Sequence, residues 1–370
     1  MNIESEFTMV FRSERQEVSP SPAQVYLELT THCNLRCRLC ARNSIADFRK
    51  THFPLPLLRS LLPQIQDLRP ARLVLFGFGE ALLHPRIGTI FSLLRAIETK
   101  IILVTNAGLL SRETARLLVK LPIDEVYVSW DDDIESGDIL IRVGIDSRMF
   151  KSNIGALAEE RSAAGSNKPI LGMEIVATKH NYRSIPSIIA SGRSLGIEQF
   201  IVTNLYPYSA ETADDILYER DRHPAVSLTE LLRREIKLGK GSIRIASQTA
   251  RRNRRCPFIE RGTLFITAQG DVAPCPELAY THSAFYFGSR RTHHRQIYGN
   301  CATQPLIEIW NQKKFADFRE NFKYYFYPDC SYCYRPDICY SRTVEAVDCY
   351  GNETPCGECL WAKDIVICPS

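Results

Sequence analysis

The sequence is short of net charge, of an apolar leader and, over its whole middle, of cysteine, and each shortage removes a class of protein. A formal charge of +4 on 370 residues supplies no sustained basic field of the kind nucleic-acid binders use, so nucleic acid is not an expected partner. The first residues, MNIESEFTMVFRSERQEV, are mixed in charge. They lack the apolar core of roughly 7–15 residues that a signal peptide carries, and they are equally unsuited to span a membrane. A cytoplasmic protein without membrane attachment is the expectation. No cysteine lies between Cys40 and Cys256, whereas three lie between Cys33 and Cys40 and ten between Cys256 and Cys368. An odd total of 13 in a long chain with no export signal argues against disulfides and for metal ligation in two separate regions.

What is present is a regular alternation. Short β-branched runs, which predict strands, occur as VYLELT from Val25, RLVLFG from Arg72, IILVT from Ile101, EVYVSW from Glu125, GMEIVAT from Gly172 and FIVTNL from Phe200. The stretches between them carry apolar residues at helical spacing, with Ser111 placed to cap one of them. This α/β order predicts a parallel sheet. Six such units fall short of the eight in a closed TIM barrel, so a partial (β/α)6 barrel with its site at the strands' C-terminal ends is expected. The polar stretch 210–255, ending in ARRNRRC, reads as a solvated helical linker. Beyond Cys256, Tyr and Cys accumulate and recognisable helix shrinks to one segment around LIEIWNQKKFADFRENF. That region is expected to bury little aliphatic core and to rely on metal clusters as cross-links. The expected division is an N-terminal extension 1–24, a barrel 25–215, a helical linker 216–255 and a cysteine-rich domain 256–370.

Cys33, Cys37 and Cys40 form a C-x3-C-x2-C loop directly after the first strand. Three close thiolates can bind three irons of a cubane and leave the fourth iron open to an exchangeable ligand. A zinc site would need a fourth protein ligand, for which His32 is the near candidate. In its setting, THCNLRCRLC, the loop resembles the radical S-adenosylmethionine (SAM) superfamily. The resemblance implies a [4Fe–4S] cluster whose open iron is chelated by the amino and carboxylate groups of SAM. It also implies one-electron cleavage of SAM to a 5′-deoxyadenosyl radical that abstracts a substrate hydrogen.

Further residues resemble that family in order along the chain. FGFGEALLHP is similar to its glycine-rich element, which implies that Gly79 and Glu80 bind the SAM amino group. Phe78 stands where a second glycine is usual. LVTNAG places Thr105 and Asn106 at the end of the third strand, and VSWDDD places Ser129 and Asp131 at the end of the fourth, positions the family turns toward SAM. Asp132 and Asp133 read as a solvated acidic turn. IRVG is similar to a segment whose arginine, here Arg142, pairs with the SAM carboxylate, a bidentate match suited to guanidinium. Leu39 replaces a frequent aromatic near the adenine.

The second cysteine region resembles the SPASM extension of radical SAM enzymes, which carries one or two auxiliary [4Fe–4S] clusters. Cys256 is followed by RGTLFITAQGDVAPC, which reads as a hairpin with Gly270 five residues before Cys275; Cys330, Cys333 and Cys339 form C-x2-C-x5-C, and GNCATQPLIEIWN is similar to the family's short helix. The usual next cysteine is here Thr343, and Cys349 is the nearest substitute. The resemblance implies that Cys256 and Cys275 serve one cluster and Cys330, Cys333 and Cys339 the other, with Cys349, Cys356, Cys359 and Cys368 divided between them. Cys301 is the expected non-ligand, and structural zinc is the competing reading of the region. The tail DCYGNETPCGECLWAKDIVICP resembles the branch that includes cofactor-modifying proteins of tungsten-dependent aldehyde oxidoreductases.

These resemblances imply an enzyme that matures a peptide or protein substrate with electrons from a flavodoxin- or ferredoxin-type donor. The alternative is dehydrogenation, epimerisation or rearrangement of a small metabolite or metal cofactor. A non-enzymatic iron–sulfur or zinc protein is the least favoured reading, because it makes every strand-end match a coincidence. Some two dozen residues precede the first strand, too few for the leader-recognition domain that some relatives carry. Tyr206 and Tyr208 read as either pocket lining or packing at the barrel mouth. No convincing general base emerges, with Asp131 and His84 as the reachable guesses.

Overall fold

The computed structural model describes residues 19–45, 47–121, 123–131, 141–220, 223–239, 241–250, 255–324, 326–335, 339 and 347–369. Most of the N-terminal extension, the acidic turn 132–133, residues 251–254 of the basic run and Thr343 lie outside the described residues.

All six expected strands form: β1 Gln24–Leu27, β2 Arg72–Leu75, β3 Lys100–Thr105, β4 Ile123–Ser129, β5 Ile170–Ala177 and β6 Gln199–Asn204. They pair in parallel and in chain order. Their near-continuous burial follows from helices covering the outer face while further side chains fill the inner one. Those helices are α1 Leu55–Leu68, α2 Ile87–Leu94, α3 Arg112–Lys120, α4 Ser147–Ala163 and α5 Ile185–Ser194. The Ser111 hydroxyl accepts from Thr114 N at 3.2 Å, and Asp146 caps α4 by accepting from Met149 N at 2.7 Å, each satisfying a donor that a helix start leaves open.

The six expected strands are the centre of a longer sheet, which continues past both ends. In the expected linker, α6 Leu228–Leu231 and α7 Arg233–Lys237 are short, and β7 Ser242–Ile245 then pairs in parallel with β6. After α8 Pro257–Glu260, strand β8 Thr263–Ile266 pairs in parallel with β1, and β9 Asp271–Ala273 follows antiparallel to β8. Strand β10 His282–Tyr286 and β11 Ser289–His293 make a separate antiparallel hairpin, and β12 Gly299–Asn300 joins β9, giving a ten-stranded main sheet. A four-residue strand such as SIRI carries too little alternation to stand out from neighbouring loops, whereas β8 and β9 are the hairpin expected of RGTLFITAQGDVAPC. The sheet therefore does not end where the cysteine-rich region begins.

The expectation of little core in that region is also corrected. The segment read as one helix is two, α9 Leu306–Asn311 and α10 Lys313–Lys323, separated at Gln312, whose backbone is extended. This bend brings Trp310 and Phe315 edge to face, and the Arg319 guanidinium lies 3.8 Å from the Trp310 ring centre while donating to Trp310 O at 2.8 Å. Leu306, Ile309, Trp310 and Phe315 are buried in the same core as the barrel helices. Residues 360–368 run along the barrel's inner face and pack with Tyr26, Ile102, Tyr127 and Ile201. They are fastened by Asn204 Nδ2 donating to Ile365 O at 2.8 Å and by Ile367 N donating to the Thr203 hydroxyl at 2.9 Å. Among the described residues no helix is long and apolar enough to cross a membrane.

Candidate functional site

The loop after β1 is shaped by backbone bonds to the segment that follows β4. Arg36 N donates to Val143 O and Arg38 N to Ile141 O, at 2.9 and 3.0 Å. Three N–H groups point at its sulfurs: Leu35 N lies 3.4 Å from Cys33 Sγ, Asn106 Nδ2 3.6 Å from the same atom, and Arg42 Nε 3.3 Å from Cys40 Sγ. Donors aimed at sulfur suit thiolates, which only accept. Burial pushes the Cys33 thiol up and the Cys37 thiol up to about 11, so a positive metal centre is what would favour their deprotonation. The loop thus fits an iron–sulfur cluster by donor chemistry.

Behind the loop, Glu80 is buried. Its Oε1 accepts from the Thr105 hydroxyl at 2.7 Å and from Leu82 N at 3.1 Å, and its Oε2 accepts from Asn106 N at 2.7 Å. Burial raises its carboxyl against these opposing hydrogen bonds. Asn106 in turn donates to Asn34 Oδ1 at 2.9 Å, joining the end of β3 to the cysteine loop. A Cβ at Gly79 would collide with the carbonyls of Thr30 and His32, so only glycine lets this turn approach the loop. Ser129 is half-buried at the end of β4. Asp131 is buried, with Oδ2 2.7 Å from Arg142 Nη2 and Oδ1 accepting from Val176 N at 2.6 Å. The structure therefore brings Gly79, Glu80, Thr105 and Asn106 to the loop, and it pairs Arg142 with Asp131. His84 Nδ1 accepts from Arg86 N at 3.1 Å and Nε2 faces Phe53 O at 3.0 Å, a turn-building role.

Eight of the ten cysteines of the second region fall into two sets of four. Burial first, and then the other thiols, push Cys275 and Cys356 well above the ordinary thiol value, with Cys256 and Cys359 as their neighbours. Cys256 and Cys359 themselves are pushed up to about 11 and about 12. All four line one enclosed space. Cys330 has Cys349 and Cys339 as charged neighbours, and Cys349 has Cys339 and Cys333. Cys349 thus stands with the C-x2-C-x5-C element. Cys368 is buried against Tyr26, whose hydroxyl is 3.7 Å from its sulfur, and Cys301 is buried beside Gly270, to whose carbonyl its N–H donates at 2.8 Å. A zinc ion at about 2.3 Å from each of four sulfurs holds them roughly 3.8 Å apart. Among the described residues no three cysteine sulfurs all lie within 4.8 Å of one another.

Two groups escaped the sequence reading. Glu28, at the end of β1, is buried and accepts from Phe78 N at 2.7 Å, Ala268 N at 3.0 Å and the Tyr280 hydroxyl at 2.5 Å. It ties the glycine-rich turn to the β8–β9 hairpin, and Phe78 meets the Tyr280 ring edge-on at 5.2 Å. The unusual phenylalanine is an interdomain contact. The second group is Glu277, His282 and His293, all buried. Glu277 Oε2 lies 3.1 Å from His282 Nε2, Oε1 accepts from the Tyr208 hydroxyl at 2.7 Å, and the Tyr206 hydroxyl is 3.4 Å from His293 Nε2. Burial alone would raise the Glu277 carboxyl, but the His282 hydrogen bond and charge outweigh it, while burial and His282 push His293 down to about 3. Tyr206 and Tyr208 stack on each other. The isolated E and H letters gave no spacing signal in the sequence.

Comparison with known proteins agrees with this layout. Residues 27–162 match the radical SAM superfamily model, and residues 256–334 match the SPASM iron-sulfur cluster-binding domain. The chain is 29% identical over 348 residues, 93% of its length and 96% of the relative's, to the tungsten-containing aldehyde ferredoxin oxidoreductase cofactor-modifying protein of Pyrococcus furiosus. It is 24% identical over 298 residues, 79% of its length and 77% of the relative's, to the PqqA peptide cyclase of Gluconobacter oxydans. Streptococcus suis SuiB bound to S-adenosylmethionine shares the fold with a TM-score of 0.63 at 16% identity, over 92% of this chain and 78% of that one. Native anSMEcpe with bound AdoMet does so with 0.55 at 16% identity, over 81% and 84%.

Proposed function

The chain belongs to the radical SAM superfamily, SPASM-domain subgroup, and we propose that it is an enzyme that matures a peptide or protein by abstracting hydrogen from it. The observation that carries the reading is the C-x3-C-x2-C loop with N–H donors aimed at its sulfurs and Glu80 and Asn106 directly behind it. A [4Fe–4S] cluster and SAM, when bound, supply one-electron cleavage of a sulfur–carbon bond and the radical that takes the substrate hydrogen. The residues' own share is positioning. Cys33, Cys37 and Cys40 would hold the cluster, and Gly79, Glu80, Thr105, Asn106, Ser129, Asp131 and Arg142 would form the SAM pocket. Within it, the buried Glu80 network keeps Asn106 against the loop, and the apolar barrel excludes water.

The division of labour follows the domains: residues 25–215 build the SAM site, 216–255 bridge, and 256–370 hold the auxiliary clusters. Cys256, Cys275, Cys356 and Cys359 ligate one auxiliary cluster, and Cys330, Cys333, Cys339 and Cys349 the other. A flavodoxin- or ferredoxin-type donor in the cytoplasm supplies the electron. The relatives named above support two substrate classes, a peptide on the side of the PqqA peptide cyclase and a tungsten-enzyme cofactor on the side of the Pyrococcus protein, which matches nearly end to end. The test is anaerobic loading with iron and sulfide, reduction in the presence of SAM, and assay of 5′-deoxyadenosine. Cys33→Ala is expected to abolish the product, and its absence from fully loaded, reduced wild type would overturn the reading. Deuterium transfer into 5′-deoxyadenosine from a labelled candidate peptide, and not from a cofactor, decides the substrate class.

A further inference from the structure

The β10–β11 hairpin stands outside the main sheet, yet its terminal pair is histidine opposite histidine, His282 across from His293. Directly opposed residues in an antiparallel pair hold their Cβ atoms about 5 Å apart on one face, so the register itself sets two imidazoles side by side. Their rings stack with centres 4.9 Å apart. Glu277, in the 3₁₀ turn after Cys275, brings a carboxylate to the same point. One donor atom from each of the three lies within 4.8 Å of the other two, and among the described residues this is the group of metal-ligating side chains that closes so tightly.

The hydrogen-bond pattern points to a cation. His282 Nδ1 is 3.1 Å from Tyr280 O, a carbonyl that can only accept, so Nδ1 carries the hydrogen. Nε2 then meets Glu277 Oε2 at 3.1 Å, an ion pair when Nε2 is protonated and two neighbouring ligands when a metal ion takes that proton's place. Donors around a tetrahedral ion at about 2.0–2.1 Å sit roughly 3.3 Å apart, so these two already have the spacing of neighbouring ligands. The surroundings are those of a metal site as well: a histidine oriented through its second nitrogen by a carbonyl, and a carboxylate steadied on its other oxygen by the Tyr208 hydroxyl.

We propose that Glu277, His282 and His293 bind one divalent transition-metal ion, of the zinc or ferrous class that N,N,O donors suit. The site is distinct from the cysteine sets. Glu277 and His293 line the same pocket as Cys256, Cys275, Cys356 and Cys359, and the Tyr208 hydroxyl donates to Glu277 at 2.7 Å. Three protein ligands leave a fourth position for a substrate oxygen, nitrogen or sulfur.

Zinc is the probe, because a nitrogen and oxygen site binds Zn²⁺ more tightly than Fe²⁺. Cluster-loaded full-length protein is cleared with a mild chelator, given Zn²⁺ and desalted anaerobically, and retained zinc and the zinc X-ray absorption edge are measured. The expected result is about one zinc per chain with a shell of nitrogen and oxygen only at about 2.0–2.1 Å. Loss of that zinc is expected in Glu277→Gln and in a His282→Ala/His293→Ala variant whose iron and sulfide contents match wild type. No retained zinc in fully loaded protein, or a sulfur shell at about 2.3 Å, overturns the proposal. So does a variant that keeps its zinc. Should the double variant not fold, the wild-type spectrum alone decides.

Discussion

Replacing Glu28 with glutamine removes one acceptor from a place where every partner is a donor. Phe78 N and Ala268 N have no other role for their hydrogens, whereas the Tyr280 hydroxyl also reaches Gln269 Oε1 at 3.2 Å and can turn to it. Whichever way the new amide sits, its NH₂ faces one of the two backbone N–H groups, which is then buried without an acceptor, at about 1–3 kcal/mol. Glu28→Leu orphans both, for about 2–6 kcal/mol. Because one N–H belongs to the glycine-rich turn and the other to the β8–β9 connection, the cost falls on local opening of both segments rather than on one. Amide hydrogen exchange read over residues 72–80 and 263–271 is expected to quicken roughly 5- to 150-fold in the glutamine variant. It should quicken further in the leucine variant, while α3 and α4 stay as in wild type. Exchange within about twofold of wild type in both segments of both variants would refute the claim that this carboxylate ties the barrel to the cysteine-rich region.

Three other outcomes follow from the geometry. Gly77→Ala drives a methyl into the Glu28 side chain, and overpacking there is expected to cost about 1–3 kcal/mol, read as a lowered thermal midpoint; an unchanged midpoint sinks the point. Cys349→Ala is expected to lose about four irons per chain and Cys368→Ala to keep them all, by iron and sulfide assay, and the reverse result would move Cys368 into the ligand set. Burial, with Asp131 adding to it, raises Glu174 to about 7 from its ordinary 4.5. The folded state then binds the proton more tightly than the unfolded one, so stability is full below pH 4.5 and falls as pH rises through 7, by up to about 3 kcal/mol. Glu174→Gln should flatten that slope when thermal midpoints at pH 6 and pH 8 are compared, and an identical slope in both proteins argues against it.

The six central strands and their helices were legible because each signal is short-range: β-branched runs of four to eight residues, a serine cap, helical spacing between them. The β8–β9 hairpin was legible too, but strand β7 was not, since SIRI is a strand only because a neighbouring edge accepts its hydrogen bonds. Likewise LIEIWNQKKFADFRENF has the periodicity of one helix, and the break at Gln312 arises from packing Trp310, Phe315 and Arg319 together.

The same distinction runs through the chemistry. The loop of Cys33, Cys37 and Cys40 needs nothing beyond its own spacing, because three ligands within one turn of chain are close whatever the rest does, and the strand-end motifs inherit their places from the repeat. Partners distant in sequence are another matter. That Cys349 joins Cys330, Cys333 and Cys339, that Cys356 and Cys359 meet Cys256 and Cys275, and that Cys368 lies against Tyr26 depend on where a weakly patterned tail is packed. Asp131 and Arg142 were each expected to contact SAM, and only the folded chain shows that they also pair with each other. Glu28, Glu277, His282 and His293 carry no motif at all. Burial gives each of them its meaning, because a charge or an imidazole removed from water must find a partner, and which partner is available is decided by strand register and chain crossing, not by neighbours along the sequence.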